Sequence, residues 1–139
     1  MRRTLMTSLL AVALFTVRAE AQGKKHKEPE FEGRSLSSWI VDLRDAAAPY
    51  SRNAAAYAIS GMGADALPAV PALIAALKDP EPTVRFPVCI ALREIGPAAK
   101  DAVPALTEAL DDRNDDVAAM ARKALIKITG EDPRPLGNE

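Results

Sequence analysis

Ala66-Leu67-Pro68-Ala69-Val70-Pro71-Ala72-Leu73-Ile74-Ala75-Ala76-Leu77-Lys78-Asp79 returns 33 residues later as Ala99-Lys100-Asp101-Ala102-Val103-Pro104-Ala105-Leu106-Thr107-Glu108-Ala109-Leu110-Asp111-Asp112. The match continues through Val84 and Val117, Ala91-Leu92 and Ala124-Leu125, and Ile95 and Ile128. Across Ala66–Gly96 and Ala99–Thr129, 13 of 31 positions are identical. Chance gives about two or three in a chain of this composition. A fainter copy lies upstream. Leu36, Trp39, Ile40 and Leu43 stand 34 residues before Val70, Leu73, Ile74 and Leu77. Ser51, Ala55, Ala58, Ile59 and Met62 stand 33 before Val84, Val88, Ala91, Leu92 and Ile95. The loop Ala46–Tyr50 is therefore one residue longer than its counterparts.

Each unit predicts two helices. Val70, Leu73, Ile74 and Leu77 are spaced i, i+3, i+4, i+7, and Val84, Val88, Ala91, Leu92 and Ile95 are spaced i, i+4, i+7, i+8, i+11. Both spacings place one apolar stripe on one helical face. Asp79-Pro80-Glu81-Pro82 ends the first helix and starts the second, with Pro82 acceptable in a first turn. Gly63, Gly96 and Gly130 follow the second helices, where a left-handed cap favours glycine. Period-2 alternation is absent, so no strands are expected. Leu92, in the middle unit, is expected to touch both neighbours.

These units resemble HEAT repeats of the short bacterial type also named after phycobilisome lyases. The resemblance rests on Ala69-Val70-Pro71-Ala72-Leu73, Leu77-Lys78-Asp79-Pro80, Val84-Arg85, Ala91-Leu92 and Ile95-Gly96. The lead-in Gly33-Arg34-Ser35-Leu36-Ser37-Ser38-Trp39 also resembles the opening of such arrays. The resemblance implies an all-α fold, a short right-handed α-solenoid of about three helical hairpins used as a protein-binding surface. It further implies that Arg52 and Arg85 are structural, bridging to Asp45, Asp79 or Asp112. Two departures stand out. Pro87 sits one turn inside a second helix, where it removes a backbone hydrogen bond and should bend the helix start. Val84-Arg85 becomes Val117-Ala118 in the last unit, as suits a unit with no following neighbour.

The chain has 139 residues, room for one small domain. Arg2 and Arg3, the apolar run Leu9–Val17 and Ala19-Glu20-Ala21 follow the three-part pattern of a secretory signal. Cleavage after Ala21 and export, periplasmic or secreted, are expected. The run is too short for a comfortable membrane span of about 20 residues. The expected organisation is a signal peptide over 1–21 and a flexible polar leader over 22–34. A repeat domain follows over 35–132 (units 35–66, 67–102 and 103–132), and a disordered tail over 133–139. Removing residues 1–21 leaves 15 basic against 18 acidic side chains, a balance that argues against nucleic-acid binding.

Catalytic chemistry finds little footing. The one histidine, His26, lies in the leader, so neither a histidine metal site nor a Ser-His-Asp arrangement is available. Cys89, the single cysteine, has no histidine partner and cannot form an intrachain disulfide; a shielded, inert thiol is expected. Gly61-Met62-Gly63-Ala64-Asp65-Ala66 mimics a dinucleotide fingerprint but follows a helix rather than a strand. Asp112-Arg113-Asn114-Asp115-Asp116 mimics a calcium loop but has Val117 where glycine is required and Lys123 at the twelfth position. No cofactor and no metal are expected.

In HEAT-like arrays the second helices line the concave face. Off the core stripe, three rows recur there at steps of 33: Asn53, Phe86 and Ala119; Tyr57, Ile90 and Lys123; Ser60, Arg93 and Ile126. Asn53, Tyr57, Phe86, Ile90, Arg93, Lys123 and Ile126 form the candidate protein-binding patch. The competing reading packs Phe86 and Ile90 between units. The function expected is a non-catalytic, exported scaffold that binds another protein, with self-association also open. The alternatives are a regulatory or assembly subunit of an exported enzyme and, more remotely, a lyase-type enzyme.

Overall fold

The computed structural model describes residues 27–134, so the signal-like segment, His26 and residues 135–139 lie outside the described residues. Six α-helices among the described residues form three successive pairs. These are α1 (Leu36–Asp45) with α2 (Pro49–Gly61), α3 (Val70–Ala76) with α4 (Pro82–Ile95), and α5 (Val103–Ala109) with α6 (Asp115–Thr129). Each first helix packs on its own second helix, and α4 lies between α2 and α6. The fold is a short all-α solenoid. No helix among the described residues is long and apolar enough to cross a membrane.

Local chemistry sets the ends of these helices. Pro49 and Pro82 open α2 and α4, where a missing N–H costs nothing. The Ser35 hydroxyl accepts from the Ser38 N–H at 3.3 Å, and the Asn114 side chain accepts from the Val117 N–H at 3.1 Å. Gly130 closes α6 at φ 80°, ψ 0°, a left-handed cap whose N–H reaches the Ile126 carbonyl at 2.8 Å.

Residues repeated in sequence occupy repeated places in the core. Ile59, Leu92 and Leu125 form one buried row across the three second helices, and Leu73 and Leu106 form another in the first helices. Each such side chain contributes about 1.5–3 kcal/mol over exposure. Two 3₁₀ segments, Gly63–Ala69 and Gly96–Ala102, join the pairs. Ala66, Ala69, Ala99 and Ala102 are fully buried in them, so these conserved-in-repeat alanines let the connectors lie against the core.

A polar ladder ties each pair to the next. The Arg52 guanidinium donates to both Asp79 carboxylate oxygens at 2.7 and 3.1 Å, and to the Ala46 and Ala47 carbonyls at 2.9 Å. Arg85 repeats this geometry one unit later. It donates to Asp112 at 2.8 Å twice, and to the Asp79 and Pro80 carbonyls at 2.8 and 3.1 Å. Each aspartate also accepts a backbone N–H, from Glu81 and Asn114 respectively. The Arg85 guanidinium, against a smaller opposing effect of burial, holds the Asp112 carboxyl below the ordinary carboxylate range. At Asp79 burial pushes upward most strongly, but Arg52, the Glu81 N–H and Arg85 together outweigh it and the carboxyl again lies low. Asp45 stands outside the ladder. It is exposed and pairs with its neighbour Arg44 at 2.7 Å; each rung takes its arginine from the pair before, and no pair precedes that of Asp45 among the described residues.

Helix α4 runs through Pro87 without a break. Proline at 87 supplies no N–H to the Thr83 carbonyl one turn earlier. The Asn53 side-chain amide, from α2, donates to that carbonyl. A defect in one repeat is thereby satisfied by its neighbour. Cys89 is fully buried in the same helix, and burial above all pushes its thiol up to about 12.

Both ends correct the expectations from sequence. Strands do occur: β1 (Glu30–Phe31) and β2 (Arg34–Ser35) pair antiparallel, with Phe31 opposite Arg34. Glu32 and Gly33 join them at φ 51° and 73°, the positive pair that a tight hairpin turn needs. Two residues per strand leave no alternation to detect. The leader expected over 22–34 is accordingly structured in its last residues. The Phe31 ring lies over Gly61, where an added Cβ would sit 2.5 Å from it. Arg34 stacks 3.8 Å from the Trp39 ring centroid and pairs with Asp42 at 2.8 Å, while the Trp39 indole N–H donates to the Phe31 carbonyl. Glu28 accepts from the Ser37 hydroxyl and N–H at the start of α1. At the other end the tail does not begin at 133. Arg122 pairs with Asp132 and holds the Arg134 carbonyl, and Arg134 reaches back to Asp111 at 2.7 Å.

Candidate functional site

The outward rows of α2, α4 and α6 meet in a groove of about 250 Å³ lined by Asn53, Tyr57, Pro82, Thr83, Phe86, Asn114 and Asp116. All three repeats contribute. Proline at the first turns of α2 and α4 and the Asn114 cap of α6 bring the helix starts side by side. The ladder bridges the same three repeats.

Of the seven residues expected in the binding patch, the groove brings together Asn53, Tyr57 and Phe86. Tyr57 is 45% exposed and lines the groove. Phe86 is half-buried, lines the groove and packs partly against the core. Asn53 is committed through its amide to the Thr83 carbonyl; that role is structural before it is anything else. Ile90, Arg93, Lys123 and Ile126 lie outside the groove, further along the same helices. Ile90 is half-buried, and Ile126 is 39% exposed. Arg93 is drawn to Glu94 at 2.7 Å and lies against the Met120 sulfur. Lys123 is exposed and enters none of the ion pairs among the described residues.

Pro82, Thr83, Asn114 and Asp116 were not anticipated. The signal for two of them was present. Tyr50, Thr83 and Asp116 form a further row at steps of 33, one turn before Asn53, Phe86 and Ala119. Tyr50 is 82% exposed at the start of α2. Pro82 and Asn114 enter the lining as helix-start residues, which a count of outward helical positions passes over.

No group of three or more His, Cys, Asp or Glu side chains among the described residues is placed to hold a metal ion. Asp112, first residue of the calcium-loop mimic, is instead taken up by Arg85. Every buried side-chain nitrogen and oxygen among the described residues has a partner, so the interior offers no polar group aimed at a missing ligand.

A comparison with curated proteins finds no match. The family model for HEAT repeats matches residues 37–126, from α1 to the last turn of α6. Paired helices, a buried row repeating every 33 residues and an arginine–aspartate ladder bridging successive pairs all fall within that span. The chain belongs to the HEAT-repeat family.

Proposed function

We propose that this chain is an exported, non-catalytic scaffold that binds another protein on the face formed by its second helices. The observation that carries the reading is the groove at Tyr57 and Phe86, with further exposed apolar surface at Ile126 on the same helices. Apolar and aromatic groups ringed by polar ones, presented on a rigid frame, are the composition of a protein contact surface. HEAT repeats commonly mediate such contacts, which supports the reading. The arginine start, the apolar run Leu9–Val17 and Ala19-Glu20-Ala21 support export.

The test is affinity capture from envelope extract with the wild-type chain beside a Tyr57→Ala/Ile90→Asp variant whose fold is checked by circular dichroism. The captured protein is identified, purified and rebound. A partner that binds wild type and loses affinity for the variant is expected. A purified partner that binds both equally overturns the face. Cell fractionation with N-terminal sequencing tests export, and a full-length cytoplasmic product overturns it.

A further inference from the structure

The groove carries a chemical preference. Its volume, about 250 Å³, falls below the range of about 300–1,000 Å³ usual for small-molecule and cofactor sites. That is space for one large side chain. Its walls are two aromatic rings, Tyr57 and Phe86, and the Pro82 ring. Its only charged lining residue is Asp116. This carboxylate is exposed and enters none of the ion pairs among the described residues. Asp115, its neighbour in the chain, and Glu81, which precedes the lining residue Pro82, are exposed acids as well. Arg113, three residues before it, is exposed and does not line the groove. Of the basic residues on this face, Arg93 pairs with Glu94, and Lys123 and Lys127 follow Asp116 by seven and eleven residues, about 10 and 16 Å along α6. The groove end is therefore acidic and aromatic together.

An aliphatic stem with a planar cation at its tip satisfies both features. The stem lies on the rings, the cation meets an unpaired carboxylate, and a guanidinium also stacks on aromatic faces. An acidic or purely aliphatic side chain would leave Asp116 either opposed or stripped of water with no partner. We infer that this groove receives an arginine side chain from an extended segment of the protein partner. The inference rests on the reading of this face as a protein-binding surface and adds the chemistry of what docks there.

The test uses the full chain and a displayed library of short linear peptides of randomised sequence. Selected peptides are measured on wild type, Asp116→Asn, Tyr57→Ala, Lys100→Ala and Tyr57→Ala/Ile90→Asp, each verified as folded. Selected sequences should share an arginine beside an apolar residue. Their affinity should fall about tenfold on Asp116→Asn, a loss of about 1.4 kcal/mol, and also fall on Tyr57→Ala, while Lys100→Ala, on the connector away from this face, leaves it unchanged. Replacing the shared arginine by norleucine in the peptide should reproduce the Asp116→Asn loss. Selected peptides without arginine, or equal binding to wild type and Asp116→Asn, overturn the inference. In that case loss on Tyr57→Ala/Ile90→Asp leaves the protein-binding face standing. Binding indifferent to every variant overturns both. An empty selection overturns docking of a linear segment and leaves the face to the capture experiment.

Discussion

Replacing Arg85 by methionine keeps most of the aliphatic stem and removes the guanidinium. Four hydrogen bonds go with it: two to Asp112 and one each to the Asp79 and Pro80 carbonyls. The Asp112 carboxylate, whose side chain is 9% exposed, keeps only the Asn114 N–H. Stripping one partner from a buried ion pair costs about 3–5 kcal/mol. The pair sits at the edge of the array and Arg85 is 14% exposed, so the lower end applies, about 3 kcal/mol. Urea unfolding followed by circular dichroism measures it. Asp112→Ala alone should also destabilise, and the double variant should cost less than the sum, with a coupling of about 2 kcal/mol. The pH response gives a second readout. A carboxyl held low in the folded state contributes stability above its unfolded value, near 3.8, and loses it as pH falls through the folded value. Wild type should therefore lose stability in acid more steeply than Arg85→Met. A cost below about 1 kcal/mol, as for exposed pairs, together with additive single variants, would refute the view that the ladder holds the repeats together.

Three further outcomes are expected. Asn53→Ala should cost about 1–2 kcal/mol by stranding the Thr83 carbonyl; in a Pro87→Ala background, where a backbone N–H again serves that carbonyl, the cost should shrink, and an unchanged cost in denaturant titrations would contradict the compensation. Gly61→Ala should destabilise by about 1 kcal/mol or more and shift the fluorescence of Trp39, the only tryptophan, although alanine is ordinarily the better helix former by about that amount. In a Phe31→Ala background the same change should stabilise; destabilisation there would show that the ring is not the obstacle. Cys89 should resist thiol reagents in the folded chain and react once per chain in denaturant, and rapid native modification would contradict its burial.

Much of the fold was legible because each repeat states the same pattern. Val84, Val88, Ala91, Leu92 and Ile95 were assigned to one face by spacing, and all five are buried. The 3₁₀ connectors were not legible, since alanines at 66, 69, 99 and 102 mark close packing without any periodicity of their own. Nor was the hairpin, whose turn uses Glu32 at positive φ, a residue with no preference for that conformation. The candidate site was legible in its rows but not in its floor plan. Outward helical positions find Tyr57 and Phe86, yet the depth of the groove depends on how far the helix starts approach one another. Pro82 and the Asn114 cap stand at those helix starts, off any outward helical row. Asp45 stays out of the ladder for a different reason: a rung takes its arginine from the preceding pair, and Asp45 belongs to the first pair among the described residues.

The ladder connects residues 27 apart at each step, and no rung skips a repeat. Such wiring makes the molecule behave like a short zipper, which opens from its ends and leaves α4 for last. The groove reverses that order for anything bound in it. Its lining comes from all three second helices, so an occupant grips the two outer pairs as well as the central one, and it dissociates when either end frays. Occupancy therefore raises the opening cost of both ends at once, by an amount that grows with the logarithm of partner concentration. In hydrogen exchange this would register as slowed amides in α2 and α6, the second helices of the two outer pairs, from a ligand seated between them.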